Sequence, residues 1–98
     1  MKKYTTKDIC DCQKAKYLIE KYESPLYVYS EKILKEKVEK LLSAAKEFNV
    51  KYALKANTNV AIVKLIKSLG INQVDVVSPG EIFKALQCGY QPEDIMYT

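Results

Sequence analysis

The chain has 98 residues, of which 48% are hydrophobic and 29% charged, a composition typical of one small globular domain. All 16 basic residues are lysines, and 12 acidic residues are interleaved with them to leave a net charge of +4. Because arginine is the usual residue for bidentate contacts with phosphate and guanine, this pattern argues against a lysine-rich nucleic-acid-binding module. No stretch approaches the roughly 18 apolar residues that span a membrane. Neither nucleic-acid nor membrane partners are therefore predicted.

The cysteine pattern predicts a reducing, cytoplasmic environment. Cys10, Cys12 and Cys88 make an odd number, and no secretory signal follows the first lysines. Cys10 and Cys12 could supply half of a metal site, but the sequence has no histidine and no second cysteine pair to complete one. We interpret the thiols as structural or incidental and predict no metal site.

Residues 1–48 predict two helices and one strand. "KAKYLIEKY" suits a short helix, and "SPLYVYS", residues 24–30, has strong β preference after a residue pair that disfavours helix. Ser30 is placed to cap a helix that runs to about Phe48, with an apolar face at spacings of three and four. That face consists of Leu34, Val38, Leu41, Ala45 and Phe48.

The rest of the chain alternates strands with helices. "KYALKA" (51–56), "QVDVV" (73–77) and "DIMYT" (94–98) are the predicted strands, with Leu54, Asp75 and Met96 at equivalent places 21 residues apart. Asn59 caps the first intervening helix, which carries Ile62, Leu65, Ile66 and Leu69 and ends at Gly70, and the second runs from Pro79 to about Cys88 before Gly89. This alternation predicts parallel βα units.

The number of βα units is too small for a closed fold. A complete (β/α)8 barrel takes about 250 residues, and an open three-stranded sheet leaves exposed edges. We therefore predict the N-terminal part of a (β/α)8 TIM barrel, incomplete in this chain, with residues 31–98 forming the first helix and first βα units. The chain is expected to be the beginning of a longer protein.

Lys55 is the first candidate site residue. Side chains alternate along a strand, so Lys51, Ala53 and Lys55 share one face while Tyr52, Leu54 and Ala56 share the other. Lys55 lies near the carboxyl end, where barrel enzymes keep their active sites. Two interpretations stay open from spacing alone: a lysine that extends from a strand end to water, or a desolvated amine that acts as a nucleophile.

Asp75 is the second candidate, because it is an acid inside an apolar strand. A buried carboxylate needs compensation, so Asp75 is expected at a sheet edge or beside a cation. Ser78, Pro79 and Glu81 together fit a capping box with proline at its preferred position, and this structural role accounts for them without any chemistry.

"YALKANTNVAIVKLIKSLG", "VDVVSPGEIFKAL" and "PEDIMYT", in this order and spacing, resemble the N-terminal barrel segment of fold type III pyridoxal-phosphate decarboxylases, the alanine racemase-like barrels. With "SPLYVYS" before the long helix, the resemblance within that family is strongest to the diaminopimelate decarboxylases and covers residues 24–98. It implies that Lys55 binds pyridoxal 5'-phosphate covalently, that Asp75 is the acid near this lysine, and that Glu81 stands at a position acidic in relatives.

The resemblance also implies partners and a reaction. Residues 1–30 would contribute a strand to a C-terminal β-domain, and the complete enzyme would be a homodimer that decarboxylates meso-diaminopimelate to L-lysine. Three alternatives stay open: an ornithine, arginine or carboxynorspermidine decarboxylase of the same fold, a non-catalytic pyridoxal-phosphate-binding barrel, and the disfavoured nucleic-acid module. The 98 residues alone are expected to be inactive, because the rest of the cofactor site lies elsewhere in such enzymes.

Overall fold

The computed structural model describes residues 3–55 and 57–98. The chain divides into two compact units, one up to Leu34 and one from Lys35 to Thr98. In chain order the elements are α1 (Thr6–Ile9), α2 (Cys12–Tyr22), α3 (Glu31–Ala44), β1 (Lys51–Ala53), α4 (Val60–Ser68), β2 (Gln73–Val76), α5 (Pro79–Gln87), a short 3-10 helix (Pro92–Asp94) and β3 (Ile95–Tyr97). The described helices include none that is both long enough and apolar enough to cross a membrane.

The first unit is helical and has a thin apolar interior. Asp11 caps α2 by accepting a hydrogen bond from the Lys14 N–H at 2.7 Å, and the helix predicted over "KAKYLIEKY" is confirmed with an earlier start. Every residue of α1 and α2 remains at least partly exposed. Leu26 and Val28 line a shallow groove with Leu18 of α2.

Residues 24–30, predicted as a strand, form neither a helix nor a paired strand in the structure. Their apolar side chains are open to solvent, and Tyr27 is 88% exposed. A single extended segment gains hydrogen bonds only when another strand lies beside it. The pairing of this segment with a β-domain stays a prediction.

Helix α3 begins as predicted but ends earlier. The Ile33 N–H donates to the Ser30 hydroxyl at 3.2 Å, which confirms the N-cap. The helix ends at Ala44, before the predicted end at Phe48, and Val38 is its buried residue. Leu41 is 47% and Phe48 75% exposed, so the apolar face predicted from spacing is wrong at these two positions.

The three strands form a parallel sheet in the order β1-β2-β3. Ala53 pairs with Asp75, and Asp75 pairs with Met96. The predicted equivalence of Leu54 with Asp75 and Met96 is therefore wrong by one residue on β1. A slip of one residue places a side chain on the opposite face, and Leu54 is indeed fully buried, whereas Ala53 is exposed.

One face of the sheet is covered by α4 and α5, and the core lies there. The fully buried residues include Leu54, Val74 and Val76 from the sheet side and Val63 from α4. Val63 and Ile66 are the buried residues of α4, so of the four positions predicted for its apolar face only Ile66 is buried. Burial on one face and exposure on the other is the arrangement expected for strands whose second face lines a barrel.

Two glycines end the helices of the second unit, as predicted. Gly70 has a φ of +112° and Gly89 a φ of +96°, both in the region that favours glycine. The Gly70 N–H donates to the Lys67 carbonyl at 3.0 Å and the Ile71 N–H to the Ile66 carbonyl at 3.3 Å. These two bonds are the Schellman pattern, which turns the chain from α4 into β2.

Replacing Gly70 with alanine is expected to destabilise the protein by about 1–2 kcal/mol, because an L-residue is strained at this φ. The added Cβ would also lie 3.1 Å from Leu42 Cδ1. Gly80→Ala is the matched control, since its Cβ would meet nothing nearer than the Ser78 hydroxyl at 3.9 Å. Chemical denaturation of both variants measures the difference, and equal midpoints would contradict the strain argument.

Candidate functional site at the carboxyl edge of the sheet

Lys55 lies in a tight turn directly after β1. The Asn57 N–H donates to the Leu54 carbonyl at 2.8 Å, which closes a four-residue turn with Lys55 at its second position. Strand pairing extends to Leu54, whose N–H donates to the Asp75 carbonyl at 3.2 Å. The predicted strand over residues 51–56 is therefore too long at its carboxyl end. Its last residue, Ala56, lies outside the described residues.

The predicted position of Lys55 at the carboxyl end of a strand is nevertheless confirmed. The residue follows the carboxyl end of a parallel strand, and its side chain is exposed. Lys51 is the first residue of β1, at the opposite end of the strand, and is half-buried. Of the two lysines on β1 and its turn, only Lys55 is therefore at the carboxyl edge, where ligands of parallel α/β sheets bind.

Asp75 lies in the middle strand, on the face opposite the core. Its neighbours Val74 and Val76 are fully buried, while Gln73 and Asp75 are half-buried, which is the alternation of faces expected along a strand. Asp75 Oδ1 accepts a hydrogen bond from the Thr98 hydroxyl. Asp75 was expected at a sheet edge or beside a cation, and both expectations are wrong in the described residues. Its strand, β2, is the central one, and its partner is the hydroxyl of Thr98, the residue after β3.

Lys55 and Asp75 are brought to one region but not into contact. In the described part of the chain, no hydrogen bond or ion pair joins the lysine amine to the Asp75 carboxylate. Both residues lie at the carboxyl half of neighbouring strands, and the surface around them includes exposed Ala53, Val77 and Met96. We call this surface the open face. At its carboxyl end it combines Lys55 and Asp75 with small or apolar side chains.

The N-terminus of α5 is capped by hydrogen bonds between Ser78 and Glu81. The Glu81 N–H donates to Ser78 Oγ at 3.2 Å, and Ser78 Oγ donates to Glu81 Oε2 at 3.0 Å. The same Oε2 accepts from the Val77 N–H at 3.2 Å, one residue before the position of a standard capping box. The predicted structural role is therefore confirmed with this change. Glu81 is 9% exposed, and its Oε1 has no hydrogen-bond partner among the described residues.

Sequence reasoning missed two residues that shape this edge, Thr98 and Asn57. Thr98 follows β3, and its N–H donates to the Val76 carbonyl at 2.9 Å, which places its hydroxyl beside Asp75. Asn57 donates the closing bond of the Lys55 turn through its N–H, and its Oδ1 accepts the Asn59 N–H at 3.0 Å. The signal for Asn57 was available, since asparagine commonly bonds to the backbone two residues later.

The chain matches proteins whose activity is named. The family model "Pyridoxal-dependent decarboxylase, pyridoxal binding domain" matches residues 31–98. The diaminopimelate decarboxylase of Methanothermobacter thermautotrophicus is 41% identical over 85 residues, covering 83% of this chain and 20% of the relative. Those of Aquifex aeolicus and Bacillus subtilis are 42% and 38% identical, each covering 85% of this chain and 20% of the relative.

The chain belongs to the pyridoxal-dependent decarboxylase family. Its matched part is the family's pyridoxal binding domain, and the matched residues contain both Lys55 and Asp75. The chain spans about a fifth of the length of the curated relatives that it matches. The resemblance predicted from the residues is thereby confirmed at the level of the family.

The open face of this pyridoxal binding domain fits one part of pyridoxal phosphate. An exposed lysine without an ion pair in the described residues can react with the aldehyde of the cofactor. The two helix N-termini at this edge do not fit the phosphate. Asn59 Oδ1 already accepts the Ala61 and Ile62 N–H groups of α4. At α5, Pro79 has no N–H, Ser78 Oγ accepts the Glu81 N–H, and the Glu81 carboxylate lies beside the helix start. The described residues would therefore hold the aldehyde end of the cofactor, and its phosphate would need other residues.

Proposed function

We propose that the protein carrying this chain is a pyridoxal-phosphate-dependent decarboxylase in which Lys55 holds the cofactor. The observation that carries the proposal is the place of Lys55, an exposed amine at the carboxyl edge of a parallel βα unit in a chain of this family. We further propose meso-diaminopimelate as the substrate and L-lysine as the product. The support is the name shared by the relatives at about 40% identity, diaminopimelate decarboxylase.

Pyridoxal phosphate, when bound, supplies the electron sink that lets an amino acid lose carbon dioxide. Lys55 supplies the nitrogen that fixes the position of this group at the sheet edge. When it is not joined to the cofactor, the Lys55 amine would be able to hold or deliver a proton at this edge.

Asp75 supplies a negative charge on the same open face. Thr98 donates to its Oδ1, and Oδ2 has no hydrogen-bond partner among the described residues. A carboxylate in this position attracts a cationic group that comes close to it, such as an ammonium group of the substrate. We propose that Asp75 orients such a cation and that the Thr98 hydroxyl limits rotation of the carboxylate.

The architecture of the complete protein forms part of the proposal. The open face would line a (β/α)8 barrel whose further strands cover Ala53, Val77 and Met96, and residues 1–30 would join a β-domain. We also propose a cytoplasmic homodimer. The exposed apolar side chains on the open face support closure, since exposed clusters of this kind mark surfaces that another element covers.

Substituting Lys55 with alanine in the full-length protein is expected to abolish the visible absorbance of bound cofactor and lower kcat at least about a thousandfold. The reason is that the covalent anchor and the proton carrier are lost together. Lys51→Ala is the matched control, because the lysine is at the other end of the same strand, and it should keep the absorbance. Loss of the band in Lys51→Ala with its retention in Lys55→Ala would reject the assignment.

The substrate is tested by comparing kcat/KM for carbon dioxide release from meso-diaminopimelate, ornithine and arginine. We expect meso-diaminopimelate to be preferred by about a hundredfold or more, since a site built for a second ammonium-carboxylate end discriminates strongly against substrates that lack it. A higher value for ornithine or arginine would overturn the substrate assignment and leave the role of Lys55 intact. Cofactor binding without release from any amino acid would indicate a non-catalytic carrier.

A further inference from the structure

The turn that carries Lys55 is held by a chain of hydrogen bonds centred on Asn57. The Asn57 N–H donates to the Leu54 carbonyl at 2.8 Å, and Asn57 Oδ1 accepts the Asn59 N–H at 3.0 Å. The Asn57 carbonyl accepts the Tyr52 hydroxyl at 2.9 Å. The backbone donor, the backbone acceptor and the side-chain oxygen of one residue are thus all engaged. Lys55 lies between two residues, Leu54 and Asn57, that are each fixed in place.

Tyr52 is the one partner of Asn57 that reaches it from the core. Tyr52 belongs to β1, and its ring packs against the buried cluster that contains Leu54 and Val63. A tyrosine ring has two side-chain torsions, so a packed ring presents its hydroxyl at a well-defined point. The bond to Asn57 therefore ties the loop after β1 to the buried core of the second unit, whereas the other two bonds join loop residues to near neighbours in sequence.

Tyr52 lies on the face of the sheet that packs on the core, opposite the open face. Alternation along β1 places Tyr52 with Leu54 on the core face, and Ala53 is exposed on the other. The Tyr52 hydroxyl is engaged with a backbone carbonyl behind the turn. A role for Tyr52 in cofactor chemistry would therefore be indirect and would act through the position of the turn.

We propose that Tyr52 is a positioning residue for Lys55. Its hydroxyl fixes the Asn57 carbonyl, and this bond keeps the four-residue turn closed at the point where the lysine leaves the sheet. The inference rests on the proposed function of Lys55 as the cofactor-bearing residue. It adds a residue on the core side of the sheet to a site that is otherwise built on the open face.

The test is Tyr52→Phe in the full-length protein, which removes one oxygen and keeps the ring. Tyr90→Phe is a closely matched control, since the Tyr90 hydroxyl also donates to a backbone carbonyl, that of Ile71, at 2.7 Å. Tyr90 is 1% exposed and belongs to the same core cluster. Both variants lose a hydrogen bond from a tyrosine to the backbone, but only one of these bonds holds the Lys55 turn.

Two readouts separate positioning from general stability. The first is hydrogen exchange of the Asn57 amide in the cofactor-free protein, and the second is the dissociation constant of pyridoxal phosphate from absorbance titrations. We expect Tyr52→Phe to raise the exchange rate and the dissociation constant each by about two- to tenfold, the range that corresponds to one net hydrogen bond. Tyr90→Phe should lower the thermal midpoint and leave both readouts within twofold of wild type.

The possible outcomes are distinct. Unchanged exchange and binding in Tyr52→Phe, or equal changes in both tyrosine variants, would overturn the positioning role. If Tyr52→Phe fails to fold, the exchange rate of the Asn57 amide in the wild-type protein becomes the test: the proposal predicts a rate at least about tenfold below that of an unstructured peptide. Exchange as fast as in an unstructured peptide would reject the proposal, because the turn would then not be held closed. A wild-type protein that binds no cofactor at Lys55 would instead refute the proposed function, and amide exchange would still report on the turn.

Discussion

The burial of Leu54 is the constraint on which the described site depends. Its side chain is fully buried between the sheet and the helices, and its N–H continues the pairing with β2 through the Asp75 carbonyl. Its own carbonyl accepts the Asn57 N–H that closes the turn. A single residue therefore ends the strand, anchors the core and starts the loop that presents Lys55. A smaller side chain at this position would loosen the core and the turn together.

One face of the sheet forms the core of the second unit, and the other carries the candidate site residues. Helices α4 and α5 cover the face that carries Leu54, Val74 and Val76, and burial of these residues stabilises the second unit. The opposite face keeps Lys55 and Asp75 accessible and contributes little apolar burial within this chain. Parallel sheets are normally covered on both faces, and in the described residues the open face is exposed at Ala53, Val77 and Met96.

The elements with strong local signals could be predicted from the sequence. Asn59 and Ser78 are caps in the structure, and Gly70 and Gly89 end helices, because each of these depends on backbone bonds within a few residues. The parallel βα order and the place of Lys55 at the carboxyl edge also followed from spacing. These features need no knowledge of which residues approach from distant parts of the chain.

The errors came from contacts that spacing does not determine. Leu54 was matched with Asp75 because equal intervals were assumed, whereas the register is set by pairing across β1 and β2 and matches Ala53 instead. The hydroxyl partner of Asp75 comes from Thr98, 23 residues later, and no local pattern indicates it. The exposure of Phe48 likewise depends on where α3 ends, which periodicity could not fix.

The central claim is that Lys55, presented by its turn, carries the cofactor. The most direct measurement is borohydride reduction of the full-length protein with pyridoxal phosphate, followed by trypsin digestion and mass spectrometry. Modification blocks cleavage, so the account predicts one labelled peptide spanning residues 52–64 with the added group on Lys55. A labelled peptide spanning residues 47–55 with the group on Lys51, or label spread over many surface lysines, would contradict it.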